Sequence, residues 1–163
     1  MIPPQFDYLR ATSVDHALAL LAEHGDDAKL LAGGHSLLPM MKVRLAAPAV
    51  LIDLGTVPGL DYVRVDGDVL AIGALTRHAS VAASGPVAQH APLLAHSAGL
   101  VGDPQIRHRG TIGGSLVHAD PAADLPMAAT ALEAVMVVQG PSGQREIGAE
   151  EFFLGYFTSA VGE

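Results

Sequence analysis

Two glycine-rich stretches carry the residue types that a phosphorylated ligand requires. They are Ala32-Gly33-Gly34-His35-Ser36 and Thr111-Ile112-Gly113-Gly114-Ser115, about eighty residues apart. A diphosphate crowds negative charge onto a few oxygens. Main-chain N–H groups approach such oxygens closely only where no side chain intervenes, which favours glycine. A neighbouring Ser or Thr hydroxyl adds a donor, and a turn that opens a helix adds the positive end of its dipole. A Gly-Gly pair after a strand also serves simply as a tight turn, and the first stretch alone does not separate the two readings. It lacks the Gly-x-Gly-x-x-Gly of a dinucleotide fold and the Gly-Lys-Ser/Thr of a P-loop. A nucleophile elbow would need glycine where Leu38 stands, so Ser36 is a poor candidate for a hydrolase nucleophile.

The second stretch sits in a longer run from Gln105 to Pro126. A glycine loop followed by a capped helix accounts for Asp120 and Pro121. It does not account for Asp124 one turn later, nor for Arg107 and Arg109 on either side of His108. Those arginines have three open readings: surface charge, phosphate clamp or partner contact. The eight histidines show no His-Glu-x-x-His and no paired spacing, so no metal site is expected.

The elements that must position these stretches follow from periodicity. Ser13 reads as an N-cap, Val14, Ala17, Leu18 and Leu21 share a helical face, and Gly25 ends the helix. Asp26-Asp27 form a turn, and Lys29 to Ala32 form a short strand leading into the first glycine stretch. Ser36 to Leu45 reads as helix and Val50 to Leu54 as a second strand. Strand, helix and strand in so few residues predict a compact βαβ unit with a small parallel sheet. Beyond it, Tyr62–Val65 and Val69–Leu75 read as a hairpin around Asp66-Gly67-Asp68. Residues 76–99 read as helix broken at Gly85-Pro86 and Pro92, and 102–114 as a loop. A helix capped by Asp120, with Pro121 at its first position, carries Leu125, Ala128, Ala129 and Leu132 on one face. A hairpin with strands at 134–139 and 144–147 follows, and Glu150-Glu151 read as a solvated cap to the last segment. The expected organisation is a βαβ lobe over 1–55 and a larger α+β lobe, with antiparallel pairing, over 56–163. A ligand touching both glycine stretches would lie between the lobes.

Composition removes several function classes. The chain has 163 residues, 50% hydrophobic and 16% charged, which is the balance of a packed globular protein. A net charge of −8 disfavours a nucleic-acid groove or an anionic membrane surface. With no cysteine, the chain offers no disulfide, thiolate zinc site or iron–sulfur ligand. No apolar run approaches the ~20 residues of a membrane span. The opening Met1-Ile2-Pro3-Pro4 is unlike a signal peptide, so a cytoplasmic protein is expected.

The run from Gln105 to Pro126 closely resembles the FAD-binding subunit of the molybdenum hydroxylases, the group of xanthine dehydrogenase and aerobic carbon monoxide dehydrogenase. The stretch Leu31-Ala32-Gly33-Gly34-His35-Ser36-Leu37-Leu38-Pro39-Met40-Met41-Lys42 resembles the first FAD motif of the same family. Pro4 to Tyr8, Leu51-Ile52-Asp53-Leu54 and Ile72-Gly73-Ala74-Leu75-Thr76 are similar as well, in register from residue 4 to about residue 158. The resemblance implies the PCMH-type fold, two α/β lobes with FAD stretched between them. It implies that Ala32, Gly33, Gly34, His35 and Ser36, with Gly110, Thr111, Gly113, Gly114 and Ser115, hold the pyrophosphate. Leu31 lies beside the flavin and Asp124 bonds the adenosine ribose. Val101 and Val117 are candidates for adenine or ring contact, and Ile106 and Thr76 for the flavin or ribityl chain. The family often has Asn where Ser115 stands, a change that keeps a donor.

The resemblance also implies an electron-transfer role. The molybdenum cofactor and 2Fe–2S clusters reside in a large and a small partner subunit, in a dimer of heterotrimers. Electrons pass through this subunit to NAD or a quinone, with no acid–base residue of its own as catalyst. The family continues beyond this length through another strand, a lysine and an aromatic near the flavin, and a C-terminal lobe. The expectation is therefore a fragment, or a short variant completed by a partner. Two rival readings are a stand-alone flavin oxidoreductase of the same fold and a cofactor-free assembly fragment.

Overall fold

The computed structural model describes residues 2–161. By its internal contacts the chain divides into two compact units, Met1–Pro58 and Gly59–Glu163.

The first unit runs β1 (Asp7–Arg10), α1 (Val14–His24), β2 (Ala28–Leu31), α2 (Leu37–Lys42) and β3 (Val50–Asp53). The Ser13 hydroxyl accepts the His16 N–H at 3.0 Å and opens α1. Gly25, at φ 53°, closes it. All three strands are parallel, in the order β1-β3-β2. The central strand β3 is flanked on both edges, and Val50, Leu51 and Ile52 are buried accordingly. Met41 of α2 and Ala17 of α1 are buried in the same unit. Strand β1 has no apolar run to announce it. Asp-Tyr-Leu-Arg becomes a strand by pairing with β3, with Tyr8 opposite Leu51. The Tyr8 hydroxyl donates to the Asp53 carboxylate, which also accepts the Gly55 N–H at 2.8 Å. That hydrogen bond, with lesser contributions from burial and the carboxylate charge, raises the Tyr8 pKa above its ordinary value.

The second unit opens with the hairpin β4 (Val63–Asp66) and β5 (Val69–Ile72). Gly67 takes φ 61° at its turn. Helices α3 (His78–Ala83), α4 (Gly85–His90) and α5 (Pro92–Leu100) follow. Their core is Val81, Val87, Ala91, Leu94 and Ala98, joined by Ile112, Leu125 and Ala128 from two later helices. Those helices are α7 (Ile112–His118) and α8 (Asp124–Ala131), preceded by α6 (Pro104–Arg109). A second hairpin, β6 (Val135–Gly140) with β7 (Gly143–Gly148), leads to α9 (Ala149–Phe152) and the small pair β8 (Phe153–Gly155) and β9 (Thr158–Ser159). Phe152 is buried, and Glu150 and Glu151 are exposed.

Two local expectations are overturned. Residues 102–114 are not a loop, for they hold α6 and the start of α7. The Asp103 carboxylate accepts the N–H groups of Gln105 and Ile106 at 2.9 and 3.2 Å. Pro104 occupies the first position, and Arg107, His108 and Arg109 complement the C-terminal dipole. Conversely, Asp120 does not cap a helix. Its carboxylate accepts the Ala122 N–H at 2.9 Å and its carbonyl accepts the Ala123 N–H. That is a local turn, and α8 starts only at Asp124. Leu125, Ala128 and Ala129 do form the buried face of α8, whereas Leu132 lies past its end and is exposed.

Candidate functional site

In the first unit the glycine stretch leaves β2 at Leu31, whose carbonyl accepts the Leu54 N–H at 2.9 Å. The chain turns at Gly34, φ 77°, a left-handed conformation that suits glycine. The turn is closed by Leu38 N–H to Gly34 C=O at 3.1 Å and Met40 N–H to Ser36 C=O at 3.2 Å. The N–H groups of Gly33, Gly34, His35 and Ser36 have no protein acceptor among the described residues. Four successive donors left over in a partly exposed turn are what an anion-binding concavity offers. The Ser36 hydroxyl makes no cap bond to α2, and the His35 side chain is exposed.

In the second unit the equivalent donors are already spent. Segment 73–77 runs antiparallel to 110–113, with Arg77 and Thr111 bridged. The Ile112 N–H donates to Thr76 C=O at 3.0 Å and the Gly113 N–H to Ala74 C=O at 2.9 Å. Thr111 caps α7, its hydroxyl accepting the Gly114 N–H at 3.2 Å and its carbonyl the Ser115 N–H at 3.1 Å. Gly110 donates back to Ile106. The Ser115 hydroxyl has no partner among the described residues, and Val117 is exposed on the same helix.

Asp124 opens α8 and makes no hydrogen bond or ion pair among the described residues. It lines a hollow of about 250 Å³ with Leu93 and Ser97 of α5 and Met127, Ala128 and Ala131 of α8. A carboxylate on apolar walls suits a flat ring system carrying hydroxyls. Val101 ends α5, and its carbonyl accepts Arg107 Nη1 at 2.6 Å. Arg107 thus ties the end of α5 to α6. The Arg109 carbonyl takes Arg77 Nη1 at 2.5 Å, and the Arg109 side chain is exposed. Ile106 is half-buried in α6. Thr76 is buried, its hydroxyl donating to Tyr62 C=O at 2.9 Å and accepting the Tyr62 N–H at 3.1 Å. The His118 and Phe157 rings meet at a tilt of 50°, their centroids 5.2 Å apart.

Sequence reading missed the residues that hold the second stretch in place. Ala74 and Thr76 supply acceptors from more than thirty residues away, and the His78 ring presses on Gly110. No local pattern announces them. The helix start at Asp103-Pro104 was missed as well, although an Asp followed by Pro fits the capping pattern.

Residues 4–163 match the model of the FAD-binding domain in molybdopterin dehydrogenase. The chain is 48% identical to the carbon monoxide dehydrogenase medium chain of Hydrogenophaga pseudoflava, over 100% of this chain and 57% of that one. It is likewise 48% identical to the 6-hydroxypseudooxynicotine dehydrogenase complex subunit alpha of Paenarthrobacter nicotinovorans, over 99% of this chain and 54% of the relative. A solved carbon monoxide dehydrogenase from Hydrogenophaga pseudoflava, lacking the Mo-pyranopterin moiety of its cofactor, superimposes with a TM-score of 0.96 at 49% identity. That match covers 98% of this chain and 56% of the solved one. The chain thus spans little more than half the length of these relatives. Its mixed α/β architecture, with a parallel sheet in one unit and short antiparallel hairpins in the other, is that of the medium chains. With both glycine stretches and Asp124 inside the matched range, the chain belongs to the family of FAD-binding domains of molybdopterin dehydrogenases.

Proposed function

We propose that this chain is the FAD-binding portion of an electron-transfer subunit in a molybdenum-containing hydroxylase or dehydrogenase. FAD, when bound, supplies the redox chemistry between iron–sulfur clusters of a partner subunit and an external acceptor such as NAD or a quinone. The chain's own residues bind and orient. The unspent N–H groups of Gly33, Gly34, His35 and Ser36 hold diphosphate oxygens, and the Ser115 hydroxyl adds a donor. Asp124 would accept hydrogen bonds from ribose hydroxyls beside the hollow, whose walls are mostly apolar. Leu31, Ile106, Val101 and Val117 contribute apolar contact. No side chain here is assigned a proton-transfer role, and the oxidised substrate belongs to a molybdenum-bearing partner. The assembly proposed is a dimer of heterotrimers with an iron–sulfur small subunit and a molybdenum-cofactor large subunit.

The observation that carries this reading is the run of four unspent donors from Gly33 to Ser36, in a chain of an FAD-binding family. The test is the visible absorption spectrum of the purified chain, alone and with its two presumed partner subunits, followed by FAD titration. Flavin bands are expected, and Asp124→Asn should weaken FAD binding about 10-fold, the scale of one hydrogen bond to a charged group. Absence of flavin from both the chain and the complex would overturn the reading.

A further inference from the structure

Glycines in a cofactor motif are commonly read as space left for the ligand. A glycine that serves a ligand should have open space, or only the movable end of a side chain, where its Cβ would stand, as Gly34 has with Leu38 Cδ1. Gly110 and Gly113 do not. Gly110 has φ −59° and ψ 146°, a conformation open to any residue. A Cβ built on it would lie 2.7 Å from both Cδ2 and Nε2 of His78 and 3.0 Å from the Ile106 carbonyl oxygen. His78 is buried, and its main-chain N–H donates to Gly110 C=O at 3.1 Å, so the two backbones are held together. A Cβ on Gly113 would lie 2.7 Å from both the Cβ and the carbonyl oxygen of Ala74, the oxygen that accepts the Gly113 N–H. Five of the six N–H groups from Gly110 to Ser115, those of Gly110, Ile112, Gly113, Gly114 and Ser115, are donated within the chain.

We propose that Gly110 and Gly113 are positioning residues: they are glycine because the His78 ring and the Ala74 backbone fill the space of a Cβ, and they do not themselves touch the diphosphate. Segment 73–78 acts as a template that locks the second stretch before any ligand arrives. Among the described residues only the Thr111 N–H of this stretch is left for a phosphate, beside the four of the first stretch. The part of this statement that concerns the ligand rests on the FAD reading; the part that concerns packing does not.

The test is a double-mutant cycle of Gly110→Ala and His78→Ala, with two readouts. One is the unfolding temperature of the flavin-free chain. The other is FAD affinity from quenching of flavin fluorescence. Gly110→Ala should lower the flavin-free Tm by about 5 °C, as overpacking does in a chain of this size. In the His78→Ala background the same substitution should cost less than about 2 °C and change FAD affinity by less than about 2-fold. Gly113→Ala is the second arm, decisive if His78→Ala does not fold. It too should lower the flavin-free Tm, whereas Asp124→Asn should leave Tm unchanged and weaken FAD alone. The proposal is overturned if Gly110→Ala or Gly113→Ala leaves the flavin-free Tm intact while weakening FAD at least 10-fold. A Gly110→Ala effect on affinity that persists undiminished without the His78 ring would overturn it equally. If the wild-type chain binds no FAD, the FAD reading fails, yet the Tm arm still decides the packing claim.

Discussion

Replacing Gly34 by alanine perturbs the first glycine stretch in two separable ways. Gly34 sits at φ 77°, where an L-residue costs roughly 1–2 kcal/mol. The new Cβ would also lie 2.9 Å from Leu38 Cδ1 and 3.3 Å from Leu31 Cδ1. Leu38 Cδ1 is the end of a side chain, so relief is inexpensive, about 1 kcal/mol. The sum is about 2–3 kcal/mol, which for a chain of this length lowers Tm by roughly 4–12 °C. Far-UV circular dichroism of the flavin-free chain measures it. A Leu38→Ala background removes the nearest clash and leaves the backbone cost. Gly34→Ala should there cost about 1 kcal/mol less. The same substitution tilts the N–H groups of Gly33 to Ser36, and loss of one hydrogen bond to a charged oxygen weakens FAD about 10- to 100-fold. A Gly34→Ala chain with unchanged Tm would refute the backbone argument. One with lowered Tm but unchanged FAD affinity would refute the assignment of these donors.

Other substitutions test the scaffold. Phe152, almost fully buried at 1% exposure, anchors α9, so Phe152→Ala should cost about 3–5 kcal/mol and lower Tm by roughly 10 °C. Thr111→Ala removes the acceptor of the Gly114 N–H and should cost about 1 kcal/mol, with Thr111→Ser restoring most of it in a denaturant titration. Tyr8 gives a pH signature. Its pKa in the folded chain is raised, chiefly by the hydrogen bond to Asp53. Its contribution is therefore fully present below the unfolded value of about 10 and lost as pH rises through the folded value. The stability difference between wild type and Tyr8→Phe should be constant from pH 7 to 9 and shrink above pH 10. A difference that grows with pH would contradict the Tyr8–Asp53 hydrogen bond.

How far such features were legible depends on whether their cause is local. Helix α1 is announced by Ser13 and ended by Gly25, and β3 by three consecutive buried apolar residues, because caps and apolar runs act on their own neighbours. The two Asp-Pro pairs show where local signals stop. Asp103-Pro104 starts a helix and Asp120-Pro121 does not, although both fit the same capping pattern. What separates them lies in the surroundings. After Asp103 the chain runs through residues that suit a helix and ends in Arg107-His108-Arg109, two of them cationic. Before Asp120, α7 ends at Ala119 in a left-handed conformation, and the Ala119 carbonyl accepts the N–H of Phe157 from nearly forty residues away. The turn that Asp120 then closes delays α8 by one turn.

The glycines pose the same problem in sharper form. Gly33-Gly34 and Gly113-Gly114 are identical dipeptides, each followed two residues or less later by a serine, and sequence assigns them one role. The structure separates them by where their N–H groups go. Among the described residues the first pair has none of its donors accepted by protein, and the second pair has both, one by Ala74 and one by Thr111. Glycine within a helix costs about 1 kcal/mol relative to alanine, so Gly113 in α7 needs a compensating contact, and the close approach of Ala74 supplies one. The same dipeptide thus answers two physical demands, a left-handed turn with free donors in one stretch and backbone proximity in the other. Only contacts distant in sequence tell them apart.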